Sequence, residues 1–89
     1  MMFDSYDTYA TGRDGEILHF DIVVAAGTPK PVVEMLAAKY AESQSPEVET
    51  ELVSRTSTLP TELAMDQRAA VKQHGFAIAS YSDRRRMAA

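Results

Sequence analysis

The sequence predicts an α+β fold, a two-layer sandwich in which a four-stranded mixed sheet carries two helices on one face. Two strand-like segments separated by a glycine-containing turn predict a hairpin at the N-terminal end. Two helical segments follow, and each leads into another strand-like segment, so the predicted order is ββαβαβ. Helices that link strands in this way imply crossover connections, which the mixed sheet accommodates.

The hairpin is predicted from residues 2–10 and 16–25, which are rich in aromatic and β-branched residues. Between them, residues 13–15 fit a three-residue loop in which Gly15 adopts the left-handed conformation. A two-residue turn would shift the pairing by one residue and exchange the faces of one strand. The three-residue loop, which we favour, pairs Gly12 with Glu16, Ala10 with Leu18, Thr8 with Phe20, and Tyr6 with Ile22.

The second strand indicates which face of the hairpin is buried. Its apolar residues alternate without a polar interruption, so we expect them to face the core; they are Leu18, Phe20, Ile22 and Val24. His19 and Asp21 then lie on the opposite face. In the favoured register Tyr9 is opposite His19 and Asp7 is opposite Asp21.

The first helix is predicted to begin with Thr28 as its N-cap and Pro29 at its first position. Apolar residues recur at helical spacing through Tyr40, and residues 43–46 end the element. The second helix is predicted to run from Leu59 to His74, before Gly75.

Residues 47–55 predict a third strand, in which Glu47, Glu49 and Glu51 form an acidic row on one face. Three glutamates fit an edge strand better than a buried one, because charge blocks edge-to-edge pairing. A row of this kind is typical of a solvated edge, with weak cation binding or a basic partner as the alternative. Residues 76–82 predict the last strand.

Composition bounds the range of functions. With 89 residues the chain fits one domain, residues 1–89, whose residues 83–89 we expect to form a flexible tail. A net charge of −4 disfavours nucleic acid as a partner, although Arg84–Arg86 in the tail could contact an anion. The chain lacks cysteine, a signal-peptide pattern and any long apolar stretch. We therefore expect a cytoplasmic protein with no membrane partner.

The candidate binding site is the polar group of Asp7, Tyr9, His19 and Asp21 on the face away from the predicted helices. Cross-strand neighbours lie about 4.5–5.5 Å apart at Cβ, so these side chains are close together. The two carboxylates and the imidazole could bind a divalent metal, or His19 could act as a base oriented by a carboxylate. A solvated face with local charge pairs is the ordinary alternative.

The N-terminal motif resembles a known family. Tyr6-Asp7-Thr8-Tyr9, then Asp14-Gly15, then His19-Phe20-Asp21 is similar to the opening of the bacterial family called domain of unknown function 2024. The resemblance implies a compact α+β fold without an assigned activity, and it implies that these residues belong to one motif. Some members carry a Cys- and His-containing segment before the second helix. Residues 51–59 contain neither, so a metal or thiol role of that segment does not carry over.

The leading functional hypothesis from the sequence is a non-enzymatic binding or interaction module that uses the open sheet face or a strand edge. An unidentified protein partner or a homodimer would fit it. The alternative is a small-ligand or divalent-metal site on the hairpin face, the side of the sheet that carries Asp7, Tyr9, His19 and Asp21. A hydrolase or isomerase with His19 as general base is a third hypothesis. No catalytic residue, metal ligand or cofactor is assigned from the sequence alone.

Overall fold

The computed structural model describes residues 2–13, 15–44 and 47–80. The elements are β1 (Phe3–Thr11), β2 (Ile17–Ala25), α1 (Lys30–Gln44), β3 (Glu49–Thr58), a 3-10 turn (Pro60–Glu62), α2 (Met65–His74) and β4 (Ala77–Ser80). The α+β class and the order ββαβαβ are therefore confirmed.

The four strands form one sheet in the order β3-β1-β2-β4, and every neighbouring pair is antiparallel. The predicted mixed sheet is wrong in this respect. Strands β2 and β3 run parallel to each other, as a crossover requires, but β1 lies between them. The crossover through α1 therefore needs no parallel pair.

The hairpin has the predicted register. Tyr6 pairs with Ile22 and Thr8 with Phe20. The N–H of Gly12 donates to the carbonyl of Glu16 at 2.8 Å, and Gly15 has a φ of 80°. The left-handed residue thus closes a three-residue loop. The length of this loop determines which side chains of β2 lie on each face of the sheet.

Replacing Gly15 with alanine should lower the free energy of unfolding by about 1 kcal/mol, because an L-residue is strained in the left-handed conformation. Nothing lies within 4 Å of the added Cβ, so the cost is conformational rather than steric. Urea unfolding followed by circular dichroism measures it. Glu16→Ala, at an exposed neighbour, is the control. Equal stability of the Gly15→Ala variant and the wild type would contradict this loop geometry.

The main core lies between the sheet and α1. Its fully buried side chains include Phe20, Ile22 and Val24 from β2, and Val33 and Ala37 from α1. These are alternate positions on the strand and positions four apart on the helix, so each element buries one face. The predicted core face of β2 is confirmed, with Leu18 half-buried at its rim.

The second helix packs on the opposite face of the sheet. Val71 of α2 is buried against Phe3, Val23 and Ala77, which occupy the hairpin face. The predictions of two helices on one face and of a two-layer sandwich are therefore wrong. Helix α2 has few apolar residues to bury. The apolar patch of Phe3, Val23 and Ala77 on the hairpin face is correspondingly small. The remainder of that face is not covered by α2.

Both helices begin later than predicted. The hydroxyl of Thr28 donates to the Ala25 carbonyl, and the carbonyl of Pro29 accepts the first helical N–H groups, so α1 begins at Lys30. Residues 60–62 form the separate 3-10 turn. Extended Leu63 and Ala64 follow that turn, and Leu63 packs against the Phe3 and Val23 cluster. Burial of Leu63 therefore interrupts what the sequence suggested was one helix.

Strand β3 lies at a sheet edge, as its glutamates predicted, and contains a β-bulge. Asp7 pairs with Ser54 but Thr8 pairs with Leu52, so Val53 is the additional residue. After the bulge, each side chain of β3 lies on the opposite face from the one that uninterrupted alternation would give it. As a result Ser54, Thr56 and Thr58, paired with Asp7, Ser5 and Phe3, lie on the hairpin face.

The acidic row is shorter than predicted. Glu49 and Glu51 pair with Thr11 and Tyr9, but Glu47 precedes β3 with a φ of 52°. Its carboxylate lies 3.3 Å from Arg13 in an exposed ion pair. Glu47 therefore belongs to the loop before the strand.

The C-terminal predictions fall largely outside the described residues. Strand β4 covers residues 77–80, whereas residues 81 and 82 of the predicted strand, the Arg84–Arg86 run and the tail at 83–89 lie beyond the part that the structure describes. Within the described part, no helix has the length and apolar character needed to cross a membrane.

Candidate functional site

The hairpin register brings three potential ligand residues together on the face opposite α1. Asp7 pairs directly with Asp21, and His19 lies two residues before Asp21 on β2. One donor atom from each of these side chains lies within 4.8 Å of the other two. We call Asp7, His19 and Asp21 the hairpin cluster.

Within the hairpin cluster, Nε2 of His19 donates a hydrogen bond to Oδ1 of Asp7. The His19 and Asp7 side chains are 25% and 29% exposed, and Asp21 is 6% exposed. Charges that are partly removed from water interact more strongly than charges at a fully exposed surface. The cluster is therefore partly shielded from water, and two of its three members are carboxylates.

Tyr9 positions the imidazole. The Tyr9 and His19 rings stack with centroids 4.3 Å apart and planes inclined by 3°. This stack restricts rotation of the imidazole, while the Asp7 carboxylate fixes one of its nitrogens. The phenol is not among the described residues that line the cleft beside the cluster, and its ring contact is with His19.

A cleft of about 400 Å³ opens above the hairpin cluster. This volume falls in the range of small-molecule sites, about 300–1,000 Å³. Its wall on β3 carries hydroxyl groups, and its rim comes from the 3-10 turn and α2. The lining residues are Ser5, Asp7, His19, Asp21, Val23, Ser54, Thr56, Ser57, Thr58, Glu62, Leu63, Gln67 and Ala79.

Two side chains at the rim of the cleft are held in place by hydrogen bonds from backbone N–H groups. Oε2 of Glu62 accepts from the N–H of Leu59 at 2.6 Å, and Oε1 of Gln67 accepts from the N–H of Ala64 at 3.2 Å. Each contact is one half of a capping box, because the side chain three residues into the turn or helix accepts from the N-cap N–H, whereas Leu59 and Ala64 have no side-chain acceptor to complete it. The Glu62 and Gln67 side chains are thus fixed to the 3-10 turn and to α2.

The charge of the cleft favours cations. Among the described residues, three carboxylates line it, from Asp7, Asp21 and Glu62, and no lysine or arginine does. Clefts lined by one sign of charge concentrate ligands of the opposite sign.

The sequence predicted which hairpin side chains are close together but not which other residues line the cleft above them. Asp7, His19 and Asp21 come together as expected from the hairpin. Ser54, Thr56 and Thr58 were missed because the bulge determines their face, although hydroxyl residues at alternate positions gave a signal. Glu62 and Gln67 were missed because α2 was expected on the other face. His74, exposed at the end of α2, is not part of the cluster.

The comparisons with known proteins give a family. A family model described as "Domain of unknown function (DUF2024)" matches residues 1–81. The chain belongs to this family. The DUF2024 match spans the cleft and all of its lining residues. Neither a curated protein nor a solved structure matches the chain significantly.

Proposed function

We propose that this DUF2024 protein binds a divalent cation at the hairpin cluster and, through that cation, a small ligand in the cleft. The observation that carries the proposal is the convergence of two carboxylates and one imidazole, with their donor atoms within 4.8 Å of one another. Imidazole suits zinc, iron and nickel, whereas carboxylates suit manganese, magnesium and calcium. A mixed set therefore favours zinc or manganese.

The hydrogen bond between His19 and Asp7 joins two of the three donor atoms that would hold the cation. Zinc–nitrogen and zinc–oxygen distances are about 2.0–2.2 Å, so the ligand atoms around one ion lie about 3–3.5 Å apart. Small side-chain rotations at Asp7 and Asp21 would bring a set spanning at most 4.8 Å to that spacing. The cation would displace the proton, because only a deprotonated nitrogen can coordinate it.

Three protein ligands leave at least one coordination position for a water molecule or a ligand. In this chain that position would face the cleft, whose β3 wall offers the hydroxyls of Ser54, Thr56 and Thr58. Hydroxyl groups both donate and accept hydrogen bonds, so this wall can orient a polar ligand. From its composition, we also propose that the protein is cytoplasmic.

Calorimetric titration with zinc and, separately, with manganese tests the proposal. We expect one cation per chain, and affinity that falls as the pH is lowered from about 7.5 to about 5, because protons compete for the imidazole and the carboxylates. The absence of saturable heat with both metals at neutral pH would contradict it. So would a stoichiometry above one with no pH dependence, which indicates diffuse binding to exposed carboxylates.

A second candidate function is a protein-interaction module, favoured by the position of β3. This strand of 10 residues lies at the sheet edge and, among the described residues, pairs with β1 alone. An exposed edge can accept a further strand from a partner or from a second copy. Light scattering tests self-association, and a strictly monomeric protein that captures nothing in pulldowns would remove most of this candidate's support.

A further inference from the structure

A groove separate from the cleft lies where the N-terminal end of α1 approaches β3. Its volume is about 270 Å³, and it shares only Ser54 with the cleft lining. Its other lining residues are Tyr6, Lys30, Leu52, Val53 and Arg55. Tyr6 and Leu52 lie on the α1 side of the sheet, whereas the hairpin cluster lies on the other side. A ligand in the groove would therefore not contact the hairpin cluster.

The groove has the opposite charge to the cleft. Lys30 and Arg55 line it, both exposed, and none of its described lining residues is a carboxylate. Neither cation takes part in an ion pair within the described residues. In a chain with a net charge of −4, this is a local cationic surface that attracts an anionic group.

The edge of β3 adds a backbone component to this surface. Val53, the bulge residue, is 55% exposed and offers an apolar contact. The segment after it, Ser54–Thr58, contains no carboxylate, whereas Glu49 and Glu51 lie in the segment before it. Carboxylates on an edge repel an acidic strand, so the segment after the bulge is the part of the edge that can accept one.

Charge argues against a second copy as the occupant. An antiparallel copy of β3 would bring its own residues to the groove. On the α1 side those residues are Thr50, Leu52, Arg55 and Ser57, none of which is anionic. The copy would leave Lys30 and Arg55 without a counter-charge and would bring a second Arg55 close to the same surface. The groove therefore fits a partner that carries a carboxylate next to an apolar residue.

We propose that β3 accepts an extended acidic peptide of a partner protein as a fifth strand along Ser54–Thr58. A carboxylate of the peptide lies between Lys30 and Arg55, and an apolar side chain enters the groove beside Val53. Main-chain hydrogen bonds supply affinity, and the groove supplies selectivity. This inference rests on the interaction-module candidate, not on the cation site.

A displayed library of random octapeptides, selected on the full chain at low salt, tests it. Enriched peptides should carry aspartate or glutamate adjacent to an aliphatic or aromatic residue. The double variant Lys30→Glu with Arg55→Glu should weaken binding of the enriched consensus peptide at least about 100-fold, since each lost charged hydrogen bond costs about 1.5–3 kcal/mol. The matched control, Lys39→Glu with Arg68→Glu, makes the same change in net charge away from the groove and should retain binding.

The proposal would be overturned if no peptide were enriched over the Lys30 and Arg55 double variant, or if the enriched peptides lacked carboxylates. N-methylation at alternate positions of the consensus peptide should abolish binding, because it removes strand hydrogen bonds. Retained binding of the methylated peptide would contradict strand addition. If light scattering instead detects a dimer and no peptide binds, the interaction module survives and the acidic-peptide inference fails.

Discussion

Phe20→Ala is expected to lower the free energy of unfolding by about 3–5 kcal/mol. Phe20 is 1% exposed, and its ring meets Tyr40 edge-on with centroids 4.9 Å apart. Removing the ring leaves a cavity between the central strand β2 and α1 that neither element can fill without moving. Because small domains have about 5–15 kcal/mol of total stability, this change removes a large part of it.

Urea unfolding followed by far-ultraviolet circular dichroism measures this effect, since the chain has no tryptophan. Ile17→Ala is the matched control: it lies on the same strand but is 69% exposed. That variant should differ from the wild type by at most about 0.5 kcal/mol. If the two variants were equally destabilised, the assignment of the core face of the hairpin would be wrong.

His19→Ala is expected to weaken binding of zinc at least about 100-fold while leaving the fold intact. Loss of a residue that merely supports a metal ligand costs about 10–100-fold in affinity, so loss of the ligand itself should cost more. His19 lies at the partly open cleft and is not in either buried core. Calorimetry gives the affinity, and circular dichroism checks the fold.

His74→Ala is the matched control for this prediction. His74 is exposed at the end of α2 and is not one of the residues grouped as potential ligands. It should leave the zinc affinity unchanged. Asp7→Asn keeps the shape of the side chain but removes its charge, and it should weaken binding as well. Equal zinc affinity in the His19→Ala variant and the wild type would exclude the hairpin cluster as the site.

The hairpin could be predicted from the sequence because its signals are local. Alternation of apolar residues on β2 and a glycine suited to the left-handed conformation determine the register and the faces. The register alone then brings Asp7 opposite Asp21 and Tyr9 opposite His19. Most of the floor of the candidate site therefore followed from about twenty consecutive residues.

The walls of the site depend on nonlocal packing and could not be predicted in this way. The bulge at Val53 appears only when β3 pairs with β1, and it transfers Ser54 and Thr56 to the hairpin face. The face chosen by α2 depends on the patch of Phe3 and Val23 that its small apolar stripe can cover. Neither signal is present in the periodicity of one segment.

The most direct test of the cation site is a manganese titration of the nitrogen-15-labelled protein, followed by amide NMR spectra. Paramagnetic broadening falls steeply with distance from the ion. It should therefore appear first at Asp7, His19 and Asp21, with Ser54 on the paired strand next, and it should reverse when zinc is added in excess. Broadening centred instead on Glu49 and Glu51, or spread evenly over the chain, would contradict a cation site at the hairpin cluster.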